Sequence, residues 1–381
     1  MKEKAPKIAF VRKFTNVPRT LRMAKILARA GYTVHIIEWD RVGTEPKTEF
    51  KDGILFKRLK LKSPYSFRSF YLIPFWLIYA SIQLIAGNYD IIQPQNLDCM
   101  LPALPARLIK HARIIYDMAD FYRDAYLIEM PIISSLSAIL ERLLIRKSDA
   151  LILSSEHAVL QIEEKNIPAK KIMFYNSPNV DFEVDVDRKG ISDKANKNKL
   201  TLFYPGLLNY DRAKPLLNVI KSVKDLPVEI VIVGFGECTH IFQALSKTNK
   251  QLTFLGYMSH RETLELSKKA DIMLLTYDAI YANNRIGLPN KLFEAMACGN
   301  LILAPRHTYM GEIVTKEKIG IAVDYNNPTE IREAIKSFLD KENSETQLAK
   351  KHAKELYIKK YNPEKMNSTY LETVKSLHQK A

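Results

Sequence analysis

The sequence predicts an α/β fold built from two doubly wound, Rossmann-like domains that face each other across a cleft. Apolar runs of strand length alternate with amphipathic stretches of helix length along nearly the whole chain, as expected of parallel βαβ units. The alternation is interrupted once, by the polar and charge-dense residues 183–199. At 381 residues the chain is also longer than one hydrophobic core usually serves.

The boundaries follow from this pattern. We expect a first domain over 1–182, a linker over 183–199, a second domain over 200–360 and a C-terminal helix over 361–381, for which a return to the first domain is considered. The predicted strands lie at 7–11, 32–39, 54–59, 89–95, 113–120, 149–155, 200–206, 228–236, 252–257, 271–277 and 319–323. The predicted helices lie at 20–31, 69–89, 101–112, 132–147, 215–225, 238–247 and 260–269, and residues 328–378 are helical and amphipathic. Sheets of this kind bind ligands beyond the carboxyl ends of their strands, here in the crevice between the domains.

Composition narrows the function. Hydrophobic residues make up 47% and charged residues 26% of the chain, which excludes a disordered protein. The net charge of +15 favours anionic partners such as nucleotide phosphates or lipid headgroups. Nucleic acid is not predicted, because the basic residues are spread along the chain. The widely spaced Cys99, Cys238 and Cys298 indicate neither a disulfide framework nor a zinc site, and no signal peptide is evident, so a cytoplasmic location is expected.

Residues 69–89 carry no formal charge and are long enough to span a membrane. They stand between the predicted strands 54–59 and 89–95, so a spanning helix would place two strands of one sheet on opposite sides of a bilayer. We therefore favour a helix packed on the sheet. The alternative is contact with an anionic membrane surface, at the inner membrane face. It rests on the upstream residues Phe56, Lys57, Arg58, Lys60, Lys62, Tyr65, Phe67 and Arg68.

The segment VIVGFGE ends a predicted strand in Gly234-x-Gly236. A dinucleotide fingerprint needs a third glycine, and Thr239 stands in its place. A tight turn at a strand end is therefore the favoured interpretation, and this turn can still border a ligand.

The most informative segment is RIGLPNKLFEAMACGNLILAP, residues 285–305. It predicts a turn followed by a helix whose first amides, with the cation of Lys291, favour a phosphate group. Glu294, one turn further, would repel phosphate but could accept hydrogen bonds from a ribose diol. A second interpretation, in which Glu294 only complements the helix dipole, stays open on the residues alone. The turn and first helical residues are Gly287, Leu288, Pro289 and Asn290.

Over nearly its whole length the chain resembles the GT-B glycosyltransferases of family 4, which use nucleotide-activated sugars and retain anomeric configuration. The similarity is strongest in LPNKLFEAMACGNLILAP, and extends to YDIIQPQN, RIIYDMADFYRD, KSDALILSS, YNSPN and LFYPGLLNYDRAKPLLNVI. It implies that Glu294 holds the donor ribose and that Arg212, six positions after Gly206, contacts the donor diphosphate. It also implies that Gly256 and Tyr257 form a loop near the nucleotide base.

The chain departs from the family pattern at several positions. Ile286 stands where many members have a first glutamate, Leu207 replaces an arginine, and Ala119 replaces a histidine. The family's N-terminal glycine-rich loop is replaced by RKFTNVPRT, in which Arg12, Asn16 and Arg19 could act instead. His260 and His307 are read as ordinary loop residues.

The resemblance implies a transferase that moves a hexose-like sugar from a UDP- or GDP-sugar to a lipid-linked or oligosaccharide acceptor in cell-surface polysaccharide synthesis. We expect Asp117 and Asp120 to orient the acceptor, and Gln95 and Asn96, with Asn16 and Arg19, to bind sugar hydroxyls. Arg212 would stabilise the departing diphosphate. No cofactor or metal is expected. The alternatives are a catalytically impaired nucleotide-sugar-binding subunit and a sugar-nucleotide epimerase of the same build.

Overall fold

The computed structural model describes residues 5–15, 17–63, 71–126, 130–162, 167–168, 170–178, 199–339 and 344–378. Its chain divides into two compact units. Unit 1 comprises Met1–Tyr175 and Glu364–Ala381, and unit 2 comprises Asn176–Pro363. Asn16 and residues 183–198 of the predicted linker lie outside the described residues.

Unit 1 contains an eight-stranded sheet in the order β3-β4-β2-β1-β5-β6-β7-β8. Its strands are β1 (Lys7–Arg12), β2 (Thr33–Asp40), β3 (Thr48–Lys51), β4 (Ile54–Lys60), β5 (Ile91–Pro94), β6 (Arg113–Met118), β7 (Ala150–Leu153) and β8 (Lys171–Met173). Its helices are α1 (Pro18–Arg29), α2 (Ile73–Gly87), α3 (Leu97–Lys110), α4 (Tyr122–Tyr126), α5 (Pro131–Arg146) and α6 (Val159–Ile162). All strand pairs are parallel except β3 with β4.

Unit 2 contains a six-stranded parallel sheet in the order β11-β10-β9-β12-β13-β14. Its strands are β9 (Leu200–Leu207), β10 (Val228–Phe235), β11 (Leu252–Phe254), β12 (Ile272–Leu274), β13 (Leu301–Pro305) and β14 (Gly320–Val323). Its helices are α7 (Tyr210–Ser222), α8 (Thr239–Thr248), α9 (His260–Lys269), α10 (Ala282–Ile286), α11 (Asn290–Cys298), α12 (Tyr309–Lys316), α13 (Pro328–Ser337) and α14 (Ser344–Leu356). A π-helical segment, Tyr357–Tyr361, precedes α15 (Pro363–His378).

Local chemistry sets the helix ends. Proline occupies the first turn of α1, α2, α5 and α13, where a missing amide hydrogen costs no hydrogen bond. Ser259 and Glu262 form a reciprocal capping box at the start of α9. Gly299 ends α11 in the left-handed conformation, with φ of 73°.

Helix α2 packs on the sheet of unit 1, as the sequence predicts. Trp76, Ala80 and Leu84 are buried in the same core cluster as residues of β1 and β5, and the flanking strands β4 and β5 belong to one sheet. Among the described residues, no helix combines the length and apolarity needed to cross a membrane.

Burial removes two residues from the membrane-surface alternative, which itself stays a prediction. Phe56 and Arg58 are both buried, and Arg58 pairs with Glu38 and Glu49 across the sheet edge. Alternate residues of β4 therefore point into the protein, so these two cannot contact a lipid surface together with Lys57. Tyr65, Phe67 and Arg68 lie outside the described residues.

The last helix, α15, packs in unit 1. Tyr370 is fully buried, its hydroxyl donates a hydrogen bond of 2.6 Å to Oε1 of Gln93 in β5, and its ring packs against Phe174. Arg22 of α1 donates to Asn367. The chain therefore leaves unit 1 after Tyr175 and rejoins it at Glu364.

Candidate functional site

The carboxyl ends of β9 and β12 form the topological switch point of the second sheet. The chain proceeds from β9 through β10 to β11 on one side, and from β12 through β13 to β14 on the other. A crevice forms at such a point because the connections leave in opposite directions, and ligands of doubly wound sheets bind there. The loop after β9, the loop after β12 and the start of α11 supply the side chains described below.

Lys291 crosses directly over Gly206 at the end of β9. A Cβ atom on Gly206 would stand 2.1 Å from Nζ of Lys291 and 2.4 Å from its Cε. Gly206 also has φ of 139°, which a residue with a side chain rarely adopts. Only glycine at this position allows the lysine to reach across the strand end.

Two tyrosine rings surround the ammonium group of Lys291. Nζ lies 4.4 Å from the ring centre of Tyr204 and 5.5 Å from that of Tyr277. The guanidinium of Arg212 lies 5.0 Å from the same Tyr277 ring. Two cations are thus held at one strand edge by aromatic faces, with no carboxylate within ion-pair distance of Lys291 among the described residues.

This environment perturbs the titration of Lys291. Burial, and then the nearby charge of Arg212, lower its pKa to about 7, and Glu294 and Asp211 act in the opposite direction. Arg212 lies near Asp211, at 3.7 Å, and its buried Nε atom finds no hydrogen-bond acceptor among the described residues. An anion bound here would raise the pKa of Lys291 and so restore its charge. It would also accept a hydrogen bond from the guanidinium of Arg212.

The start of α11 lies beside these cations. Pro289 occupies the N-cap position, so no side chain caps this end. The amide of Leu292 bonds to Pro289, which leaves the amides of Asn290 and Lys291 without a partner in the part of the chain that the structure describes. These amides form the positive end of the helix dipole, where an anion is favoured. Gly287 ends α10, and a Cβ there would stand 2.7 Å from the carbonyl oxygen of Asn283.

Glu294 follows one turn into α11 and is buried, with 5% of its surface exposed. Its Oε1 lies 2.9 Å from Nε2 of His260, the first residue of α9. The His260 side chain is 61% exposed, so the pair forms a buried acceptor with an exposed, displaceable partner. Leu288, in the turn before α11, is buried.

A glycine turn and an aromatic pair complete this edge of the sheet. Gly236 has φ of 149°, and a Cβ there would stand 2.9 Å from the backbone of Leu208. Beside it, the exposed rings of Phe235 and Tyr257 pack edge to face, 5.4 Å between centroids. Gly256 accepts a hydrogen bond from the amide of Gly234. Exposed aromatic faces next to a close-packed turn suit a planar ring such as a nucleotide base.

The predicted residues of unit 1 are engaged differently. Asp117 and Arg19 are buried and form an ion pair of 2.9 Å, and Arg19 also donates to the carbonyl of Phe174. Their polar atoms bind each other and the backbone in this structure, so contact of these two side chains with an acceptor stays a prediction.

The two amide side chains after β5 differ from each other. Asn96 is buried with φ of 63°, and its Oδ1 accepts from the amides of Ala119 and Asp120, so it fixes the loop instead of facing a sugar. Gln95 is half-buried, with Thr20 3.5 Å from its Oε1, and Asp120 is exposed. These last two remain candidates for acceptor contacts.

Arg12 is enclosed within unit 1. Its guanidinium donates twice to Glu38, at 2.8 and 2.5 Å, and once to the carbonyl of Val17. Arg58 donates to the other oxygen of Glu38 at 2.5 Å. Arg12 is thus committed to a buried ion cluster and cannot replace a phosphate-binding loop.

The sequence does not predict a role in the site for three residues of unit 2. Tyr204 and Tyr277 sit in apolar strand patterns that predict ordinary core residues, and His260 follows a loop with no chemical motif. The rings matter because they flank Lys291, and His260 matters because α9 packs beside α11. The only sequence signal for any of them is position at or just beyond the carboxyl end of a predicted strand.

Comparison with known proteins identifies the family of both domains. Residues 17–176 match the glycosyl transferase 4-like domain, and residues 187–355 match the domain of glycosyl transferases group 1. An uncharacterized glycosyltransferase of Methanocaldococcus jannaschii is 26% identical over 216 residues, which is 53% of this chain. The match spans about half of that relative, 52% of its length.

Solved structures share the fold at low identity. A sucrose-phosphate synthase from Thermosynechococcus elongatus superposes with a TM-score of 0.78 at 15% identity, covering 99% of this chain and 100% of that one. HepE of Anabaena in complex with UDP gives 0.70 at 13% identity, covering 97% and 100%. A trehalose-6-phosphate protein of E. coli bound with UDP-2-fluoro glucose gives 0.67 at 12% identity, covering 98% and 99%. The two matched domains and the shared fold show that this chain is a glycosyltransferase of family 4, with the GT-B fold.

Proposed function

We propose that the protein transfers a hexose-like sugar from a UDP- or GDP-sugar to a lipid-linked or oligosaccharide acceptor in cell-surface polysaccharide synthesis, with retention of configuration. The acceptor would be met in the cytoplasm, at the inner face of a membrane. The observation that carries the proposal is a pair of cations at the switch point of the second sheet: Lys291, which crosses Gly206, and Arg212, which lies over the ring of Tyr277 beside it.

In this proposal the two cations bind the donor diphosphate. The uncapped amides of Asn290 and Lys291 add donors of fixed direction, and the side chain of Lys291 reaches the phosphates across the strand end. Because negative charge grows on the diphosphate as the sugar bond breaks, these groups stabilise the transition state more than the bound donor.

Glu294 would bind the ribose. Its carboxylate only accepts hydrogen bonds, and a vicinal diol offers two donors. The buried position makes each such bond more valuable, because water cannot replace the lost partner. The base would lie on the surface formed by Phe235 and Tyr257. HepE and the E. coli protein, which share the fold, were solved with UDP and UDP-2-fluoro glucose, which supports a uridine nucleotide as the first donor to test.

The proposed reaction needs neither a strong protein base nor a metal ion. A donor phosphate oxygen would take the acceptor proton, so no strong protein base is needed, and Asp120 and Gln95 would contact the acceptor. No divalent cation would be required, because Lys291 and Arg212 supply the positive charge that a metal provides in other transferases. Full activity in excess chelator would support this second expectation, and loss restored by Mg²⁺ or Mn²⁺ would contradict it.

The decisive experiment compares nucleotides that differ in one hydroxyl. We expect UDP or GDP to raise the melting temperature of the wild-type protein, and its 2′-deoxy analogue to bind about tenfold more weakly. Glu294→Ala should weaken ribonucleotide binding by about 1–3 kcal/mol and abolish the preference over the deoxy form. Glu333→Ala removes an exposed acid from the same unit and serves as the matched control.

Each outcome separates the parts of the proposal. Equal affinity of the Glu294→Ala and wild-type proteins for both nucleotides would remove Glu294 from the ribose site. Tight donor binding without transfer or hydrolysis of any nucleotide sugar would favour a catalytically impaired binding subunit.

A further inference from the structure

Helix α5 exposes an aliphatic face. Six of its isoleucine and leucine side chains are at least 39% exposed. They recur at intervals of three and four residues, which places them along one side of the helix. These six residues are Ile132, Ile133, Leu136, Ile139, Leu140 and Leu143.

The buried side of α5 is in part polar. Ser134, Ser137 and Glu141 all point into unit 1. Glu141 is fully buried, and its two oxygens accept from the Tyr116 hydroxyl at 2.5 Å and the Tyr122 amide at 3.0 Å. A helix at a water-facing surface normally shows the opposite arrangement. The aliphatic side chains are therefore placed outward despite the cost of hydrating them, which marks a face that binds something apolar.

The exposed charges at the C-terminal end of α5 are all positive. Its only acidic residue is the buried Glu141, so the outward face carries no negative charge. Arg146 ends the helix and Lys147 follows it, and both are exposed. Arg142 is turned aside, because its guanidinium donates to the carbonyl of Gln161.

Helix α5 is too short to span a lipid bilayer. Its 16 residues extend about 24 Å, less than the ~30 Å of a bilayer core. Helix α2, which packs on the same core cluster, also exposes apolar side chains, at Phe75, Ile78 and Ile82. A helix of this length with one aliphatic side suits an orientation parallel to a membrane surface.

A second copy of this chain fits the face poorly. Pairing α5 with α5 in either direction brings no acidic side chain to Arg146 and Lys147, and the net charge of +15 opposes association. Aromatic and methionine side chains, which are enriched in protein interfaces, do not occur on the outward face of α5, which is purely aliphatic. Aliphatic side chains bordered by basic residues match the acyl chains and headgroups of an anionic bilayer.

We propose that the outward face of α5 binds the surface of an anionic lipid bilayer, with its leucines and isoleucines in the acyl boundary and Arg146 and Lys147 at the headgroups. The biological purpose of this binding rests on the proposed function, because binding would hold the enzyme beside a lipid-linked acceptor. Lipid binding needs neither donor nor acceptor, so it can be measured and can fail separately.

The test is co-sedimentation of the full chain with vesicles of phosphatidylcholine, alone or with about 30% phosphatidylglycerol. We expect the wild type to bind the anionic vesicles, and Leu136→Ser with Ile139→Ser to weaken binding about tenfold or more. Arg146→Gln with Lys147→Gln should lower the preference for anionic vesicles by about fivefold per residue. Leu348→Ser with Ile358→Ser is the matched control, because these two side chains are equally exposed but lie in unit 2.

All variants change exposed residues, so each should melt at the wild-type temperature and respond equally to UDP. Absence of wild-type binding to anionic vesicles overturns the proposal, as does equal binding by the Leu136/Ile139 variant. A wild-type dimer in light scattering that this variant converts to monomers would identify the face as an interface between copies, and would overturn it too.

Discussion

Nε2 of His260 lies 2.9 Å from Oε1 of Glu294, so the carboxylate proposed to hold the donor ribose already has a partner within unit 2. Glu294 comes from α11 and His260 from the start of α9, and only the histidine is exposed. A ribose that binds Glu294 must share this carboxylate with the imidazole or displace it.

Nucleotide affinity should therefore depend on the protonation of His260. The hydrogen bond to Glu294 raises the pKa of His260 above its ordinary value. Protonated His260 competes best for the carboxylate, so the pair is stable below the ordinary pKa and is lost as pH rises through the raised one. When residue 291 keeps a fixed charge, as in Lys291→Arg, we expect UDP affinity to increase about three- to tenfold as pH rises from 6.5 to 8.5.

This dependence is best measured in a Lys291→Arg background, because Lys291 titrates in the same range with the opposite effect on affinity. Adding His260→Ala should flatten the profile and raise affinity at the acid end. The same slope with and without the imidazole would show that His260 does not compete with the ribose.

Lys291 should take up a proton when a diphosphate binds. With its pKa lowered to about 7, the side chain is largely neutral at pH 8, and two nearby phosphates favour the charged form. Calorimetry of UDP binding at pH 8, in buffers of different ionisation enthalpy, should detect uptake of close to one proton. Lys291→Arg, which stays charged, should show almost none, and Lys214→Ala, an exposed lysine of α7, should match the wild type. Proton uptake that persists in Lys291→Arg would assign it to another group.

The hydroxyl of Tyr370 should stabilise unit 1. Tyr370→Phe leaves Oε1 of the buried Gln93 without its 2.6 Å donor, at a cost of about 1–3 kcal/mol in the free energy of unfolding. Denaturant titration with a probe in unit 1 would measure it, with Tyr210→Phe, an exposed tyrosine of unit 2, as control. Equal losses in the two variants would show that the hydrogen bond contributes nothing specific.

The buried Glu141 should make stability fall as pH rises. Burial raises its pKa to about 8, so between its ordinary value and pH 8 the folded chain holds a proton that the unfolded chain has released. The stabilising contribution is complete at acid pH and is lost as pH rises through 8, by up to about 1.4 kcal/mol per pH unit. Thermal melts of Glu141→Gln, compared with Glu333→Gln at an exposed acid, should show a flatter profile. An unchanged profile would mean that Glu141 is ionised in the folded protein.

The sequence predicts most of the two sheets because their strands are short apolar runs between amphipathic helices. The edge strand β3 escapes prediction, because Thr48–Lys51 is exposed or half-buried and shows no apolar alternation. Helices α3 and α7 begin at Leu97 and Tyr210, earlier than predicted. The predicted starts are too late because proline is typical of a first helical turn, and Pro102, Pro105 and Pro215 instead lie inside these helices.

The site, like the fold, is predicted only where its signals lie close together in the sequence. Lys291 and Glu294 are found because a turn, a helix start and a charged residue lie together in one stretch of sequence. The contacts of Lys291 with Tyr204, and of Glu294 with His260, join residues far apart in the chain. The same limit explains Asp117, whose buried partner Arg19 lies 98 residues away.

The return of the chain to unit 1 has a consequence for biosynthesis. Unit 2 is one continuous segment, but unit 1 lacks the helix that covers Gln93 and Phe174 until residues 364–378 have been made. Proteins of several domains usually complete the N-terminal domain first on the ribosome. Here the second unit can close first, while the first waits with an apolar surface uncovered. A nascent chain of this enzyme would therefore expose this apolar surface until α15 has emerged from the ribosome.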